Sequence, residues 1–142
     1  MSRATEEENR RLLRARDAMD RAYDQPLDVP ALARVALMSP AHFIRTFRRA
    51  FGETPHRYLQ RRRVERATFL LRETDTSVSE ICLDVGFASL GTFSRTFRDI
   101  IGLSPTEYRR RAAKASFGVP SCFIRAQTRP SSFGEAKPAD RA

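Results

Sequence analysis

The sequence predicts an all-α protein in which one helical unit occurs twice. Residues 43–58 read FIRTFRRAFGETPHRY, and residues 93–108 read FSRTFRDIIGLSPTEY, fifty residues further along with no gap. Eight of the 16 aligned positions are identical. A repeat this close indicates one structural unit used twice. Two copies are too few for a solenoid, but they suit a protein that contacts a periodic partner at two places.

Each copy has the pattern of an amphipathic helix with a basic outer face. In the first copy the apolar residues recur at the spacing of one helical face, and Arg45 and Arg48 point the opposite way. The second copy keeps both arginines at the same offset, as Arg95 and Arg98. Each predicted helix ends at a glycine, and a serine or threonine followed by proline then begins the next helix.

A fainter part of the repeat precedes each of these helices. Residues 29–37 match residues 79–87 as short helices, with three apolar pairs: Leu32 with Cys82, Val35 with Val85 and Leu37 with Phe87. A tight turn then leads to the arginine-bearing helix, and the whole is the helix-turn-helix pattern. The alternative is a pair of ordinary surface helices with solvated arginines. Two copies that keep both arginines at the same offset favour the helix-turn-helix interpretation over it.

Residues 27–111 resemble the DNA-binding domain of the AraC/XylS family of bacterial transcription regulators. The resemblance is densest over ICLDVGFASLGTFSRTFRDIIGLSPTEYRR, residues 81–110. It implies two helix-turn-helix subdomains, about seven helices in all, joined by a long linker helix. It also implies that two recognition helices enter adjacent major grooves on one face of double-stranded DNA.

The resemblance assigns DNA contacts to positions on the two recognition helices. Arg45 is the leading candidate for reading a base, because a guanidinium can bond guanine O6 and N7 together. Ile44 departs from the polar residues often found there, and either contacts a thymine methyl group or contributes little. His42 either contacts phosphate or is a plain exposed side chain. The predicted DNA-binding residues, with Arg49 as an additional basic side chain, are Ala41, His42, Ile44, Arg45, Arg48, Arg49, Gly91, Thr92, Ser94, Arg95 and Arg98.

The two subdomains are not predicted to bind DNA equally. Gly91 offers no side chain to DNA, and Asp99 replaces the basic Arg49 of the first copy. We therefore expect the second subdomain to bind more weakly and to read fewer bases. Two unequal units imply an asymmetric site of about 20 base pairs, two turns of DNA, which one chain can bind as a monomer.

The remaining segments are predicted from apolar spacing and composition. Residues 5–23 form an amphipathic helix, capped by Thr5, that packs on the first subdomain; a dimerisation helix is the alternative. Residues 55–73 form the linker helix, and its length of about 28 Å approaches one DNA turn of about 34 Å. Arginines 61–63 on it are either solvated or meet phosphate or an acidic partner. The other predicted helices span 29–37, 40–50, 78–85, 90–100 and 105 to about 112.

The predicted organisation has five parts. An N-terminal helix segment (1–25) precedes the first helix-turn-helix (26–54), the linker helix (55–74) and the second helix-turn-helix (75–112). A C-terminal extension (113–142), partly disordered, follows because its composition shifts towards Pro, Ser, Gly and Ala.

Composition restricts the class of protein. The 142 residues carry a formal net charge of +9, and residues 26–112 hold 15 arginines against 9 acids. That charge favours a polyanionic partner, although a GC-rich genome would also explain the arginine bias. No catalytic set, metal-ligand spacing or phosphate loop is visible, so neither an enzyme nor a cofactor is expected. With no membrane-spanning run and no disulfide framework from Cys82 and Cys122, a cytoplasmic location is expected.

Two functions remain open. The resemblance implies control of transcription, usually activation through RNA polymerase. About 25 residues precede the repeat and leave no room for an effector-binding domain, so a small stand-alone member is expected, with a fragment of a longer protein as the alternative. The alternative is a helical adaptor that binds a protein through residues 117–124 and has only non-specific affinity for DNA. Cys82 is expected in the core, and Cys122 has no assigned role.

Overall fold

The computed structural model describes residues 2–118, where it contains seven α-helices and no strand. The predicted all-α architecture with about seven helices is therefore confirmed. The chain divides into two compact units, Met1–Gln60 and Arg61–Ala142, and α4 contributes residues to both. The helices are α1 (Arg3–Arg21), α2 (Val29–Val35), α3 (Pro40–Phe51), α4 (Pro55–Glu73), α5 (Val78–Asp84), α6 (Leu90–Ile101) and α7 (Pro105–Gly118).

In the first unit, α1 packs on the helix pair formed by α2 and α3. Leu12, Ala15 and Met19 are its buried residues, spaced as on one face of a helix. At the start of α4, the hydroxyl of Tyr58 donates a hydrogen bond to Asp20 Oδ1 on α1 at 2.7 Å. Helix α1 is thus held by apolar packing and by a polar contact, and it forms an integral part of this unit.

In the second unit, α7 closes the core over the end of α4. The ring of Tyr108 lies edge-on to the fully buried Phe97, with 5.7 Å between the centroids. Arg109 donates from Nε to the carbonyl oxygen of Leu71 and from Nη2 to that of Thr74, both at 3.1 Å. Because the last carbonyl groups of a helix lack partners within it, Arg109 caps the C-terminal end of α4.

Two predicted helix ends differ clearly from the structure. The N-cap of α1 is Ser2 rather than Thr5, since the Ser2 hydroxyl accepts a hydrogen bond from the Thr5 amide at 3.2 Å. Helix α7 continues to Gly118, because the alanine-rich residues 112–115 favour helix. The predicted start of the C-terminal extension therefore falls inside α7. The other predicted ends lie within two residues of the observed ones.

Part of the predicted C-terminal extension lies outside the described residues. Residues 119–142 are not described, and neither are the side chains of residues 116–118. The predicted partial disorder and the protein-binding role of the apolar segment 117–124 therefore stay predictions, and Cys122 also lies outside the described residues.

The short helices α2 and α5 are related by an offset of 49 residues, so the predicted pairing at fifty is wrong. On α2 and its C-cap the buried residues are Leu32, Ala33 and Ala36. On α5 and its C-cap they are Ile81, Cys82 and Val85, each 49 residues further along. Val35 and Leu37, which the prediction paired with Val85 and Phe87, are 42% and 70% exposed, whereas Val85 and Phe87 are buried. The turn hydrogen bonds give the same offset, because the Met38 amide donates to Ala33 O and the Phe87 amide to Cys82 O.

The turn between α5 and α6 has one more residue, Ala88, than the turn between α2 and α3. The offset therefore changes from 49 for α2 and α5 to 50 for α3 and α6. An alignment without gaps cannot detect such an insertion, because the matching of apolar residues tolerates a shift by one. Burial and the turn hydrogen bonds decide the register.

This register explains an unusual backbone conformation at Leu37. Its φ is 58°, in the left-handed region, and the equivalent Gly86 has a φ of 99°. The β-carbon of an L-residue makes that region cost about 1–2 kcal/mol, whereas glycine has no β-carbon. Leu37 is 70% exposed, so burial of its side chain offsets little of this cost.

Replacing Leu37 by glycine is expected to raise the free energy of unfolding by about 1 kcal/mol, because the strain disappears and little burial is lost. Gly86→Ala in the second turn is the matched change, and it is expected to lower the free energy of unfolding by a similar amount. Urea unfolding followed by circular dichroism measures both. A less stable Leu37→Gly protein would show that the exposed leucine makes a contact that outweighs its strain.

Candidate nucleic-acid interface

Helix α3, the predicted recognition helix of the first unit, is defined at both ends by its own sequence. Ser39 Oγ accepts a hydrogen bond from the His42 amide at 3.2 Å, and Pro40 occupies the first helical position. At the other end the Gly52 amide donates to Arg48 O at 2.8 Å, and Gly52 has a left-handed conformation. The helix therefore starts and stops at fixed residues, which fixes the direction of every side chain on it.

Two phenylalanines and a threonine determine which side of α3 is buried. Phe43 and Phe47 are both 0% exposed, and their rings meet edge-on at 5.6 Å. Tyr58 packs edge-on against Phe47 at 5.7 Å. The buried Thr46 keeps its hydroxyl satisfied by donating to His42 O at 2.8 Å. The basic side of α3 consequently faces outwards.

Helix α6 repeats these contacts at nearly equal distances. Ser89 Oγ accepts from the Thr92 amide at 3.2 Å, and the rings of Phe93 and Phe97 meet at 5.7 Å. The helix again ends at a left-handed glycine, Gly102, with a φ of 92°. The two helices thus share one framework and differ in the side chains that they expose.

The predicted DNA-binding residues lie on these outward sides. The five arginine side chains among them make no hydrogen bond or ion pair within residues 2–118. A guanidinium group that has no protein partner and lies on the exposed side of a helix can bind a phosphate or the edge of a guanine. The exposed members are Ala41, Ile44, Arg45, Arg48, Arg49, Gly91, Thr92, Arg95 and Arg98, and the half-buried members are His42 and Ser94.

The arginine run on α4 has a different environment. Arg61 Nη1 lies 2.7 Å from Glu65 Oε2, and Arg62, which is 7% exposed, lies 3.5 Å from Glu65 Oε1. The guanidinium of Arg63 lies 5.8 Å from the ring centroid of Phe87. Of the predicted alternatives for this run, the acidic partner within the fold is confirmed for Arg61 and Arg62, which both lie beside Glu65. A phosphate contact from this run stays a prediction.

His42 has a partner that the sequence did not indicate. Its Nε2 lies 3.0 Å from Glu8 Oε2 on α1, and both side chains are partly exposed. Of its two predicted alternatives, a plain exposed side chain is thus excluded, and a phosphate contact stays a prediction. The two residues are 34 positions apart, and no local pattern links them. The packing of α1 on α3 brings them together.

Leu90 is a second residue that sequence analysis did not single out. It occupies the first position of α6 and is 45% exposed. No signal in the sequence indicates its exposure, because the spacing to Phe93 and Phe97 places Leu90 on the apolar side of α6. The alignment of the two copies paired Leu90 with Pro40, so Leu90 was not considered as a contact residue.

The described part of the chain contains neither a metal-binding cluster nor an exposed cysteine. No cluster of three or more His, Cys, Asp or Glu there could hold a metal ion. Cys82 is 2% exposed, as expected for a core residue, and burial raises the pKa of its thiol. The nucleophilic thiolate is thereby disfavoured. No helix in the described part of the chain is long and apolar enough to cross a membrane.

Comparison with known proteins identifies the family that shares this framework. A family model described as a helix-turn-helix domain matches residues 32–111, more than half of the chain. The crystal structure of a transcriptional regulator with an AraC-type DNA-binding domain, from Chromobacterium violaceum, is 30% identical. It aligns with a TM-score of 0.67 over 74% of this chain and 94% of that one. This chain belongs to the AraC-type helix-turn-helix family.

Two further proteins resemble this AraC-type chain over most of their length. Regulatory protein SoxS of Salmonella typhimurium is 34% identical over 93 residues, which are 66% of this chain and 87% of SoxS. The DNA-binding domain of the global transcriptional factor AdpA, solved in complex with a target DNA, is 33% identical. Its TM-score is 0.69, over 76% of this chain and 96% of that one. These relatives are regulators, so the prediction that the AraC-type chain is not an enzyme is confirmed.

Other curated regulators share only the AraC-type domain with this chain. Three of them are 32–43% identical over 82 to 91 residues, and the chain spans 28–37% of their length. What the chain has in common with these longer regulators is therefore the DNA-binding domain.

Proposed function

We propose that this protein is a sequence-specific regulator of transcription that binds an asymmetric DNA site. In this proposal α3 and α6 enter adjacent major grooves, and the bound protein activates transcription. The observation that carries it is the repeated outward basic face, with Arg45 and Arg48 on α3 and Arg95 and Arg98 on α6. Both faces stand on helices with equal caps and equal aromatic contacts.

Two kinds of contact supply the binding free energy. Arginines on the outward faces, such as Arg48 and Arg49, neutralise phosphates and release counterions, which makes the affinity strongly dependent on salt. Side chains nearer the N-terminal ends of the helices read base edges, as in other helix-turn-helix proteins. Arg45 is the leading base reader, because its exposed guanidinium has no partner within residues 2–118.

The two units are proposed to contribute unequally. Helix α3 exposes three arginines, at 45, 48 and 49, and α6 exposes two, at 95 and 98. Asp99, which is exposed on α6, adds a negative charge on the side that would face phosphate. Gly91 leaves open space where Ala41 of α3 has a methyl group. The first unit is therefore proposed to supply the larger share of the affinity and more of the base readout.

One chain is proposed to occupy the site as a monomer, because it already carries two recognition helices. A contact with RNA polymerase completes the proposed activator role. In this proposal the protein binds DNA first, and the DNA-bound protein then contacts RNA polymerase.

Selection of bound sequences from a random duplex library tests the proposal, at a salt concentration of about 150 mM where non-specific binding is weak. The expected result is one motif with two unequal blocks about 10 base pairs apart. The double variant Arg45→Ala/Arg95→Ala is the matched control, and it should enrich no motif although it folds. If the folded wild-type protein enriches nothing, the proposal fails in favour of an adaptor that binds a protein through residues 117–124.

A further inference from the structure

Helix α6 exposes an aliphatic side chain at its N-terminal end. Leu90 is the first residue of the helix and is 45% exposed. Side chains on a helix tilt towards its N-terminus, so a residue at the first position projects beyond the helix end. In helix-turn-helix proteins this end of the recognition helix approaches the base edges. When α6 enters the groove as in the proposed function, the side chain of Leu90 is therefore among those at the end that approaches the bases.

The polar groups around Leu90 are already engaged. Ser89 Oγ accepts from the Thr92 amide at 3.2 Å and lies 2.9 Å from Thr92 Oγ1. Gly91 has no side chain, and a β-carbon added there would meet nothing within 4 Å. The first turn of α6 thus offers an aliphatic surface with open space beside it, and it offers no charged group.

The two recognition helices expose aliphatic side chains on the same flank. Residues four apart lie on one side of a helix, so Pro40 and Ile44 share a flank of α3, and Leu90 and Ser94 share the equivalent flank of α6. Ile44 is 38% exposed, and Ser94 is half-buried. The flank of α3 therefore exposes two aliphatic side chains, Pro40 and Ile44, and the equivalent flank of α6 exposes one, Leu90.

We propose that Leu90 reads the C5-methyl group of a thymine in the part of the DNA site that α6 contacts. This inference rests on the proposed function, and it specifies how the second unit recognises its part of the DNA site. The thymine methyl is the apolar group that a base pair presents in the major groove. Contact with it removes the exposed part of Leu90 from water, which is favourable. The second unit then selects for thymine by shape and apolar contact, whereas Arg45 of the first unit selects for guanine by hydrogen bonds.

Replacement of thymine by deoxyuridine tests this directly, because it removes only the methyl group and leaves base pairing unchanged. Each thymine of the selected site is replaced in turn, and the dissociation constant is measured for the wild-type protein and for Leu90→Ala. At one position the wild-type affinity should fall about three- to tenfold. In Leu90→Ala that penalty should disappear, because the side chain that contacts the methyl group is absent.

Leu83→Ala is the matched control, since Leu83 is an exposed leucine of the same unit, on α5, at 67% exposure. This variant should keep the deoxyuridine penalty. A wild-type protein that is indifferent to every deoxyuridine overturns the inference without any variant, and so does a Leu90→Ala protein that keeps the penalty. If the wild-type protein selects no site at all, the proposed function fails as well, so the two failures are distinguishable.

Discussion

Replacing Arg45 by alanine is expected to weaken binding to the selected DNA site by about 10- to 100-fold, the loss of one bidentate contact to guanine. Arg95→Ala is expected to cost less on the same DNA, because α6 places Gly91 and Asp99 near that arginine. Equilibrium titration of labelled duplex at one fixed salt concentration measures both variants. The loss for Arg45→Ala should be confined to DNA that carries the guanine.

The control for this comparison removes the same charge from a different helix. Arg14 is exposed on α1, and Arg14→Ala should lower affinity only slightly and equally for all sequences. An equal or larger loss for Arg95→Ala would contradict the unequal roles of the two units. If Arg45→Ala weakened binding to scrambled DNA as much as to the selected site, Arg45 would be a phosphate contact and not a base reader.

Replacing Phe47 by alanine is expected to lower the free energy of unfolding by about 3–5 kcal/mol, as for other buried phenylalanines. Its ring is 0% exposed and meets Phe43, Phe51 and Tyr58 edge-on at 5.6, 4.6 and 5.7 Å. The void would lie directly beneath the outward face of α3. Since a domain typically has about 5–15 kcal/mol of stability, DNA binding should fall together with the folded fraction. Urea unfolding and DNA titration on the same sample measure both effects.

The chain contains a matched site for this change in the second unit. Phe97 is equally buried and meets Phe93 and Tyr108 at 5.7 Å, so Phe97→Ala should cost a similar amount. Phe47→Leu serves as the conservative control and should cost less, because it leaves a smaller cavity. A loss below about 1 kcal/mol in Phe47→Ala would show that the aromatic cluster does not organise the first unit.

The helices were predictable because their signals are local. Residues 55–73 were predicted and observed as one helix, since Thr54 followed by Pro55 specifies the start. The Thr54 hydroxyl accepts from the Arg57 amide at 3.2 Å, as an N-cap does. The apolar faces of α3 and α6 followed from periodicity alone, and with them the outward direction of the arginines.

What could not be predicted depends on contacts between distant segments. An alignment of only two copies does not reveal the insertion of Ala88. The register of α5 depends on which of its side chains are buried in the core. The contact between Glu8 and His42 arises because α1 lies against α3. Arg62 on α4 is buried beside Glu65, although a run of three arginines in a sequence is typical of solvated charge. Individual DNA contacts were assigned by resemblance, and they stay proposals.

Sequence-specific DNA binding is measured as the ratio of two dissociation constants. One duplex carries the selected site, and the other carries the same bases in scrambled order, both at a salt concentration of about 150 mM. Binding to the selected site is expected to be tighter by at least about 1,000-fold, the lower end for specific DNA-binding proteins. A ratio near one, with the protein folded, would contradict it and would make the basic faces of α3 and α6 generic polyanion surfaces.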